Sequence, residues 1–350
     1  MISRNHPTAA RILRRWRELT GSKTVRDAER RTVVACSGGA DSVALAAVLA
    51  MVEPKPIIAH VLHDIREDGS AIADRDAVEQ LAGLIGCEFM ERSIAVRAQA
   101  GNLEQNARAA RYEALCEIAE QVGARCIVTG HHADDQLETV LMRLIRGTGV
   151  RGMGGMSPIR KIGTVSIVRP MLDVTRQEIE SLCGDAGLSW QHDHTNDDQG
   201  YLRNRIRHSV LPILREIEPE IAARASGMAR SCRMANELVS QVVCEGVGAS
   251  ATRSNGQWSW TRDELRDVPE AVLGELVFVF VREVLDGVGA DSILRRAIEP
   301  YVRAVKSNDT DPHIHRIGPI VVHVQAKSVA ISVARAEASR EAREDRSCDE

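Results

Sequence analysis

The sequence predicts an α/β fold, with a parallel-sheet domain over residues 31–215 followed by a mostly helical domain. Two observations predict it. Short β-branched runs alternate with helical segments from residue 31 onward, which is typical of a parallel sheet covered on both faces. After Pro212 long helical stretches take over, until residues 320–333 alternate apolar and polar side chains as a β-hairpin does.

The individual elements follow from the period of the hydrophobic residues. Strands are predicted at residues 31–36, 57–62, 89–96, 125–129 and 165–168. Helices are predicted at residues 8–18, 41–51, 74–85, 104–122, 134–146, 175–186, 219–243 and 262–306. Thr175 with Glu178 three residues later predicts a capping box. The glycine-rich residues 147–155 are predicted to form a flexible loop without regular structure.

These elements predict four regions. They are a helical extension at 1–30, the α/β domain at 31–215, a helical domain with a small terminal β-hairpin at 216–335, and a charged, disordered tail at 336–350.

The composition excludes several classes of protein. The 350 residues carry a net charge of −4, so any nucleic acid must bind to local patches. No apolar run approaches the ~20 residues of a membrane span. The eight cysteines include no C-x-x-C pair and no signal peptide opens the chain, so we expect a cytoplasmic location with reduced thiols.

A candidate phosphate site is the segment Ser37-Gly38-Gly39-Ala40-Asp41-Ser42, which follows a predicted strand and opens a predicted helix. Unpaired backbone N–H groups and the helix dipole favour an anion there, and glycines let the main chain approach it. Ser37 and Ser42 add hydroxyl donors. The Asp41 carboxylate suits a site where it holds Mg²⁺ or orients the loop. The alternative is a capped turn without a ligand.

This string resembles the signature of the PP-loop ATP pyrophosphatases, whose fold is adenine nucleotide α-hydrolase-like. That family splits ATP between the α and β phosphates, transfers AMP to a substrate oxygen and releases pyrophosphate. The resemblance implies an adenylating enzyme that uses ATP, and leaves the substrate open.

Two further segments carry candidate residues. On the helix at 104–122, Glu104, Arg108, Arg111 and Tyr112 share one face. Arg111 is the better candidate for a phosphate contact, because a guanidinium offers two parallel donors. A structural ion-pair ladder is the alternative for Glu104 and Arg108.

The second segment, residues 129–139, follows a strand, where α/β sheets bind ligands. It contains His131, Asp134, Asp135 and Glu138. Zinc is one interpretation, although no cysteine or third histidine is near. Asp134 also fits ordinary compensation of the helix dipole.

Basic residues cluster in two places. Five arginines and one lysine, with no acid, lie from Arg143 to Arg169, which suits a polyanionic substrate. Arg203, Arg205 and Arg207 lie either on an extended segment or at a helix start. Pairing with acids is the competing account for this trio, and the candidate partners are Asp193, Asp197 and Asp198.

Together these segments closely resemble the tRNA(Ile)-lysidine synthase family over roughly residues 30–220. The matching strings are S-G-G-A-D-S at 37–42, N-L-E-Q-N-A-R-A-A-R-Y at 102–112, H-H-A-D-D-Q-L-E-T at 131–139, R-G-T-G-V-R-G-M-G-G-M at 146–156, R-P-M-L at 169–172 and Y-L-R-N-R-I-R at 201–207. One departure is His63-Asp64-Ile65-Arg66, where the family usually has His-Gly before Leu-Arg. The C-terminal region is also short, so we expect reduced tRNA recognition there.

The resemblance implies a two-step ligation. ATP adenylates C2–O of the wobble cytidine in a tRNA(Ile) with a CAU anticodon. Free L-lysine then displaces AMP to form lysidine, which changes the codon read from AUG to AUA. The loop at 37–42 would hold pyrophosphate, with Asp41 at Mg²⁺. Arg111 and Arg203 or Arg205 would offset charge on the α-phosphate.

The remaining roles follow from the same resemblance. His131 and Asp135, with Glu138, would bind the lysine ammonium and take its proton. Arg146, Arg151 and Arg207 would contact tRNA. A homodimer is an open alternative to a monomer.

Three other interpretations remain. A tRNA-thiolating PP-loop enzyme would need paired cysteines. An amide ligase of the superfamily would need an ammonia source and no basic loop. A nucleotide-binding sensor without catalysis would have no use for His131, Asp135 and the arginine trio.

Overall fold

The computed structural model describes residues 2–3, 5–21, 25–63, 70–95, 103–191, 202–285, 293 and 295–334. The chain forms two compact units. The first comprises Met1–Leu144 with Gly154–Arg230, and the second Ile145–Met153 with Ser231–Glu350. After Arg230 the rest of the chain belongs to the second unit, whereas the domain boundary near residue 215 stays a prediction. The predicted tail at 336–350 lies outside the described residues.

The strands fall into two sheets. In chain order they are β1 (Thr32–Ala35), β2 (Ile57–His63), β3 (Glu88–Ile94), β4 (Cys126–Val128), β5 (Ile159–Ile162), β6 (Val165–Val168), β7 (Thr252–Ser254), β8 (Gln257–Thr261), β9 (His313–Ile317), β10 (Ile320–Val324) and β11 (Ser328–Val333).

The helices are numbered in the same way. They are α1 (Pro7–Leu19), α2 (Ala40–Leu49), α3 (Ser70–Ile85), α4 (Leu103–Gln121), α5 (Ala133–Ile145), α6 (Val150–Met153), α7 (Arg176–Asp185), α8 (Leu202–Arg205), α9 (Leu211–Ile217), α10 (Ile221–Glu245), α11 (Arg262–Arg266), α12 (Glu270–Val284) and α13 (Arg295–Lys306).

The sheet of the first unit has the order β3-β2-β1-β4-β6-β5. The predicted parallel sheet is confirmed for β3, β2, β1, β4 and β6. The edge strand β5 is antiparallel to β6 and was not predicted. Its sequence, Ile-Arg-Lys-Ile, is exposed and charged, which protects an edge from further pairing but gives little hydrophobic signal.

Helix α2 begins at the candidate phosphate loop and is buried on nearly all sides. Its residues are almost all small or aliphatic, so it has no polar face to turn to water. The buried helix therefore gives the loop a rigid support. The predicted capping box at the start of α7 is also confirmed, because Thr175 N–H donates to Glu178 Oε2 (2.8 Å) and Glu178 N–H donates to Thr175 Oγ1 (3.3 Å).

The prediction that residues 147–155 lack regular structure is wrong for one helical turn, α6, which belongs to the second unit. Arg151 on this turn pairs with buried Glu275 through Nε (3.0 Å) and Nη2. Its guanidinium also lies 4.2 Å from the centroid of the Phe278 ring. These distant partners stabilise a turn that glycines alone would disfavour.

The second unit contains an antiparallel sheet of order β7-β8-β11-β10-β9. The predicted hairpin at 320–333 is confirmed as β10 and β11, with Val322 opposite Ile331. It belongs to a larger sheet whose other strands were not predicted. The predicted helix at 262–306 is divided into α11, α12 and α13, and Pro269 stands at the N-cap of α12.

Among the residues that the structure describes, no helix combines the length and the apolar character needed to cross a bilayer.

Candidate active site

A cleft of about 440 Å³ opens at the carboxyl ends of the parallel strands of the first unit. Strand order reverses between β1 and β4, and α/β sheets bind ligands at such a switch point. The predicted site residues that line the cleft are Ser37, Gly39, Asp41, Ser42, Arg111, His131, Asp135, Arg203 and Arg207. The structure thus brings together residues from four separate sequence segments.

The loop between β1 and α2 is held in shape by its own hydroxyl and backbone groups. Ser37 N–H donates to Ser42 Oγ (3.1 Å), and that hydroxyl donates to the Gly39 carbonyl (2.9 Å). Gly38 has a φ of +93°, which favours glycine. Since the first N–H groups of a helix lack partners within it, the start of α2 offers donors to an anion.

A close backbone contact joins this loop to the segment after β4. A Cβ on Gly130 would lie 3.0 Å from the Asp41 carbonyl carbon and 3.1 Å from Ser42 N. Only glycine fits without moving one backbone segment away from the other. This contact sets the spacing between Asp41 and the histidines that follow Gly130.

His132 lies buried among three carboxylates. Its Nε2 is 3.4 Å from Oδ2 of both Asp41 and Asp135, and its Nδ1 is 3.4 Å from Asp134 Oδ2. Burial lowers the pKa of His132, but Asp135, Asp134 and Asp41 outweigh it and raise the pKa to about 10. The imidazole is therefore protonated at neutral pH and ties the phosphate loop to α5.

Sequence reasoning missed His132 as a site residue. The signal that could have found it is the pair of histidines between a strand end and an acidic first helical turn. His132 also explains Asp134, whose carboxylate accepts from Arg176 N–H (2.8 Å) and Arg215 Nη2 (2.8 Å). Although burial alone would raise the pKa of Asp134, these hydrogen bonds and His132 hold it well below its usual range.

His131, in contrast to His132, is neutral. Its Nδ1 lies 2.8 Å from Thr129 Oγ1. Burial lowers the pKa of His131 well below its usual range, and this exceeds the opposing effect of Asp135. The cleft therefore presents a neutral imidazole beside the ionised Asp135, a combination that can bind a cation and accept a proton.

Two arginines cover the acids of α5. Arg203 on α8 and Arg207 on the following π-helical turn (Ile206–Val210) lie on one face, so the helical interpretation of this segment is confirmed. Arg203 contacts Asp135 Oδ1 (2.9 Å) and Glu138 Oε2 (2.7 Å). Arg207 Nε donates to Glu138 Oε1 (2.6 Å). Both oxygens of buried Glu138 are thus engaged, and its role as a lysine ligand stays a prediction.

Other predicted residues lie elsewhere. Arg205 is exposed and is not part of the cleft lining. Arg146 and Arg151 belong to the second unit. Several residues weighed above lie outside the described residues, namely Asp64, Asp193, Asp197, Asp198 and the side chain of Glu104.

The zinc interpretation finds no support in the part of the chain that the structure describes. No group of three or more His, Cys, Asp or Glu side chains there is arranged to hold a metal ion.

A glycine-containing loop at the switch point of a parallel sheet is typical of nucleotide-binding α/β proteins. A family comparison agrees with this class. The PP-loop domain family matches residues 9–214, and the chain belongs to this family. The curated relatives are more specific. A tRNA(Ile)-lysidine synthase of Geobacter sulfurreducens is 40% identical over 226 residues, which are 62% of this chain and 47% of the relative. One of Salinispora arenicola is 41% identical over 209 residues, 58% of this chain and 61% of the relative.

These relatives confirm the resemblance read from the motifs. The chain spans only 47% to 61% of the length of these relatives. Among solved structures, a U34-tRNA thiolase from Methanococcus maripaludis has a TM-score of 0.50 at 16% identity, over 65% of this chain and 78% of that chain. This likeness supports the fold alone.

Proposed function

We propose that this chain ligates lysine to C2 of the wobble cytidine of a tRNA(Ile) with a CAU anticodon, through an adenylated cytidine. The product, lysidine, changes the codon read from AUG to AUA. The observation that carries the proposal is the single cleft shared by the phosphate loop, the neutral His131, the ionised Asp135 and Arg203. Adenylation and amine attack need these groups side by side.

The first step joins ATP to the base. The cytidine C2 oxygen attacks the α-phosphate, the bond between the α-phosphorus and the bridging oxygen breaks, and pyrophosphate leaves. The N–H groups at the start of α2, with Ser37 and Ser42, would hold the pyrophosphate. Arg111 and Arg203, which line the same cleft, would offset the charge that develops at the α-phosphate.

Asp41 fits a magnesium ligand. Its Oδ2 faces His132 at 3.4 Å, whereas its buried Oδ1 has no hydrogen-bond partner among the described residues. An unpaired carboxylate oxygen beside a phosphate loop suits Mg²⁺, which binds one or two carboxylates together with substrate phosphates and water. When bound, the ion would neutralise charge on the leaving pyrophosphate.

In the second step the lysine ε-amine attacks C2, the bond from C2 to the adenylate oxygen breaks, and AMP leaves. Lysine enters as an ammonium ion and must lose a proton first. Asp135 is ionised, because His132 and Arg203 hold its pKa well below its usual range despite burial, and its carboxylate would bind the ammonium. His131 is neutral beside Asp135 and would accept the proton.

The proposal is tested by AMP release from ATP with the purified chain, omitting lysine or a tRNA(Ile) transcript in turn. We expect sustained release only when both are present. ATP binding without turnover would instead indicate a sensor. Turnover that needs a sulfur donor would indicate a thiolating enzyme.

A further inference from the structure

Arg108 and Arg169 both interact with Tyr112 in the first unit, and Arg160 lies near Arg169. Arg108 on α4 places its guanidinium 5.3 Å from the Tyr112 ring centroid, and its Nη2 lies 3.5 Å from the hydroxyl. Arg169, directly after β6, shares a side-chain hydrogen bond with the same tyrosine. Arg169 N–H donates to the Pro158 carbonyl (2.9 Å), just before β5, where Arg160 lies. The positive charge of Arg160 lowers the pKa of Arg169.

Arg169 is the buried member of this cluster. Only 4% of its surface is exposed, and its Nη1 donates to the Ser157 carbonyl (2.7 Å). Its Nε, however, is buried without a hydrogen-bond partner among the described residues. Burial, and then the positive charges of Arg108 and Arg160, lower the pKa of Arg169. Among the described residues this buried guanidinium therefore has no ion-pair partner.

The described residues supply no ion-paired acid to these three arginines. Within the described ranges, no ion pair involves Arg108, Arg160 or Arg169. The arginines facing Asp135 and Glu138 are different ones. Three neighbouring guanidiniums without an ion-paired acid among the described residues favour an anionic ligand with several oxygens.

The position of the cluster separates it from the ATP phosphates. The phosphate loop follows β1, whereas Arg160 and Arg169 lie at β5 and the end of β6, beyond β4 in the sheet. Arg160 is exposed on the edge strand, while Arg108 and Tyr112 line the cleft. Positive charge therefore runs from the sheet edge to the reacting groups. An RNA that inserts one base into the cleft leaves its phosphates along such a path.

We propose that Arg108, Arg160 and Arg169 form a subsite for a phosphodiester group of the RNA substrate, next to the nucleotide that reacts. This inference rests on the proposed function, because it takes RNA as the substrate. An RNA phosphodiester and the carboxylate of free lysine both present an oxyanion to these arginines. The test therefore separates these two ligands.

The test uses the full chain with Arg108→Ala and Arg160→Ala, since both side chains are exposed. Lys161→Ala is the matched control, because Lys161 is equally exposed on the same strand but points to the opposite face. Binding of a tRNA(Ile) transcript is measured by fluorescence anisotropy at several NaCl concentrations. Each arginine variant is expected to weaken binding about 3- to 10-fold and to reduce the salt slope by about 1.

The conservative variant Arg169→Lys tests the buried member, with folding checked by circular dichroism. It keeps the charge but loses the planar fork, so we expect weaker tRNA binding from a folded chain. In steady state, the KM for tRNA should rise in all three arginine variants, while the KM values for ATP and lysine stay unchanged.

Two results would overturn the subsite. The first is a set of arginine variants that bind tRNA as tightly as Lys161→Ala does, which would rule out the subsite. A rise in the KM for lysine instead of tRNA would assign the cluster to the amino-acid carboxylate. Failure of the proposed function looks different: the unsubstituted chain would form no lysidine, while the anisotropy series would still decide whether these arginines bind RNA phosphate.

Discussion

Replacing His132 with glutamine should destabilise the first unit in a strongly pH-dependent way. The imidazole is 5% exposed and lies 3.4 Å from three carboxylates. Its pKa rises from 6.5 to about 10 on folding. At about 1.4 kcal/mol per pH unit, linkage converts this rise to about 4 kcal/mol at pH 7. Removing one partner from a buried charge cluster costs a similar amount, about 3–5 kcal/mol.

The sign of the pH dependence follows from the raised pKa. The stabilisation is fully present below pH 6.5, the unfolded-state value, and is lost as the pH rises through about 10. The difference in unfolding free energy between the native chain and His132→Gln should therefore fall from about 4 kcal/mol at pH 7 to under about 1 kcal/mol at pH 10.

The assay is urea unfolding followed by tryptophan fluorescence, in EDTA so that no divalent cation contributes. His313→Gln is the control, because His313 forms only a partly exposed pair with Asp309 in the second unit, worth under about 1 kcal/mol. If His132 is charged, the loss of unfolding free energy in His132→Gln differs between pH 7 and pH 10. An equal loss, or one that never exceeds the loss in His313→Gln, would refute a charged His132.

Three further changes have defined outcomes. Asp41→Asn should abolish ATP-dependent AMP release even at saturating Mg²⁺, measured with labelled ATP, and a normal rate would remove Asp41 from the pyrophosphate site. Gly130→Ala should lower the free energy of unfolding in urea by about 1–3 kcal/mol and lower the affinity for ATP, because the added Cβ would lie 3.0 Å from the Asp41 backbone. An unchanged free energy of unfolding would contradict the close contact. Arg262→Ala should lower the free energy of unfolding of the second unit by at least about 3 kcal/mol, since the buried guanidinium donates to the carbonyls of Val305 (3.2 Å) and Ser307 (2.7 Å). An unchanged midpoint of urea unfolding would contradict this prediction.

The order of elements in the first unit was predictable because its signals are local. Aliphatic runs mark β1, β2 and β4, and Thr175 with Glu178 marks a helix start. Strand β5 was missed because Arg160 and Lys161 leave it without an apolar face. Strands β7 and β8 were missed because only Trp258 and Trp260 of this hairpin are buried.

The site was predictable where one segment carries its own chemistry, as at Ser37 to Ser42 and at His131 to Asp135. Charge states were not predictable, because they depend on groups that meet only in the fold. His131 and His132 are adjacent in sequence, yet burial beside arginines makes the first neutral and three carboxylates make the second a cation. Arg151 is a similar case, since its partner Glu275 is 124 residues away.

Nucleoside mass spectrometry decides whether the chain forms lysidine in its substrate tRNA. A tRNA(Ile) transcript with a CAU anticodon is incubated with the chain, ATP and lysine, then digested and separated. We predict that the wobble cytidine alone gains the mass of a lysyl adduct, and that omission of lysine or ATP abolishes the gain. An unmodified cytidine after sustained ATP turnover would contradict the proposed substrate and leave only the PP-loop family.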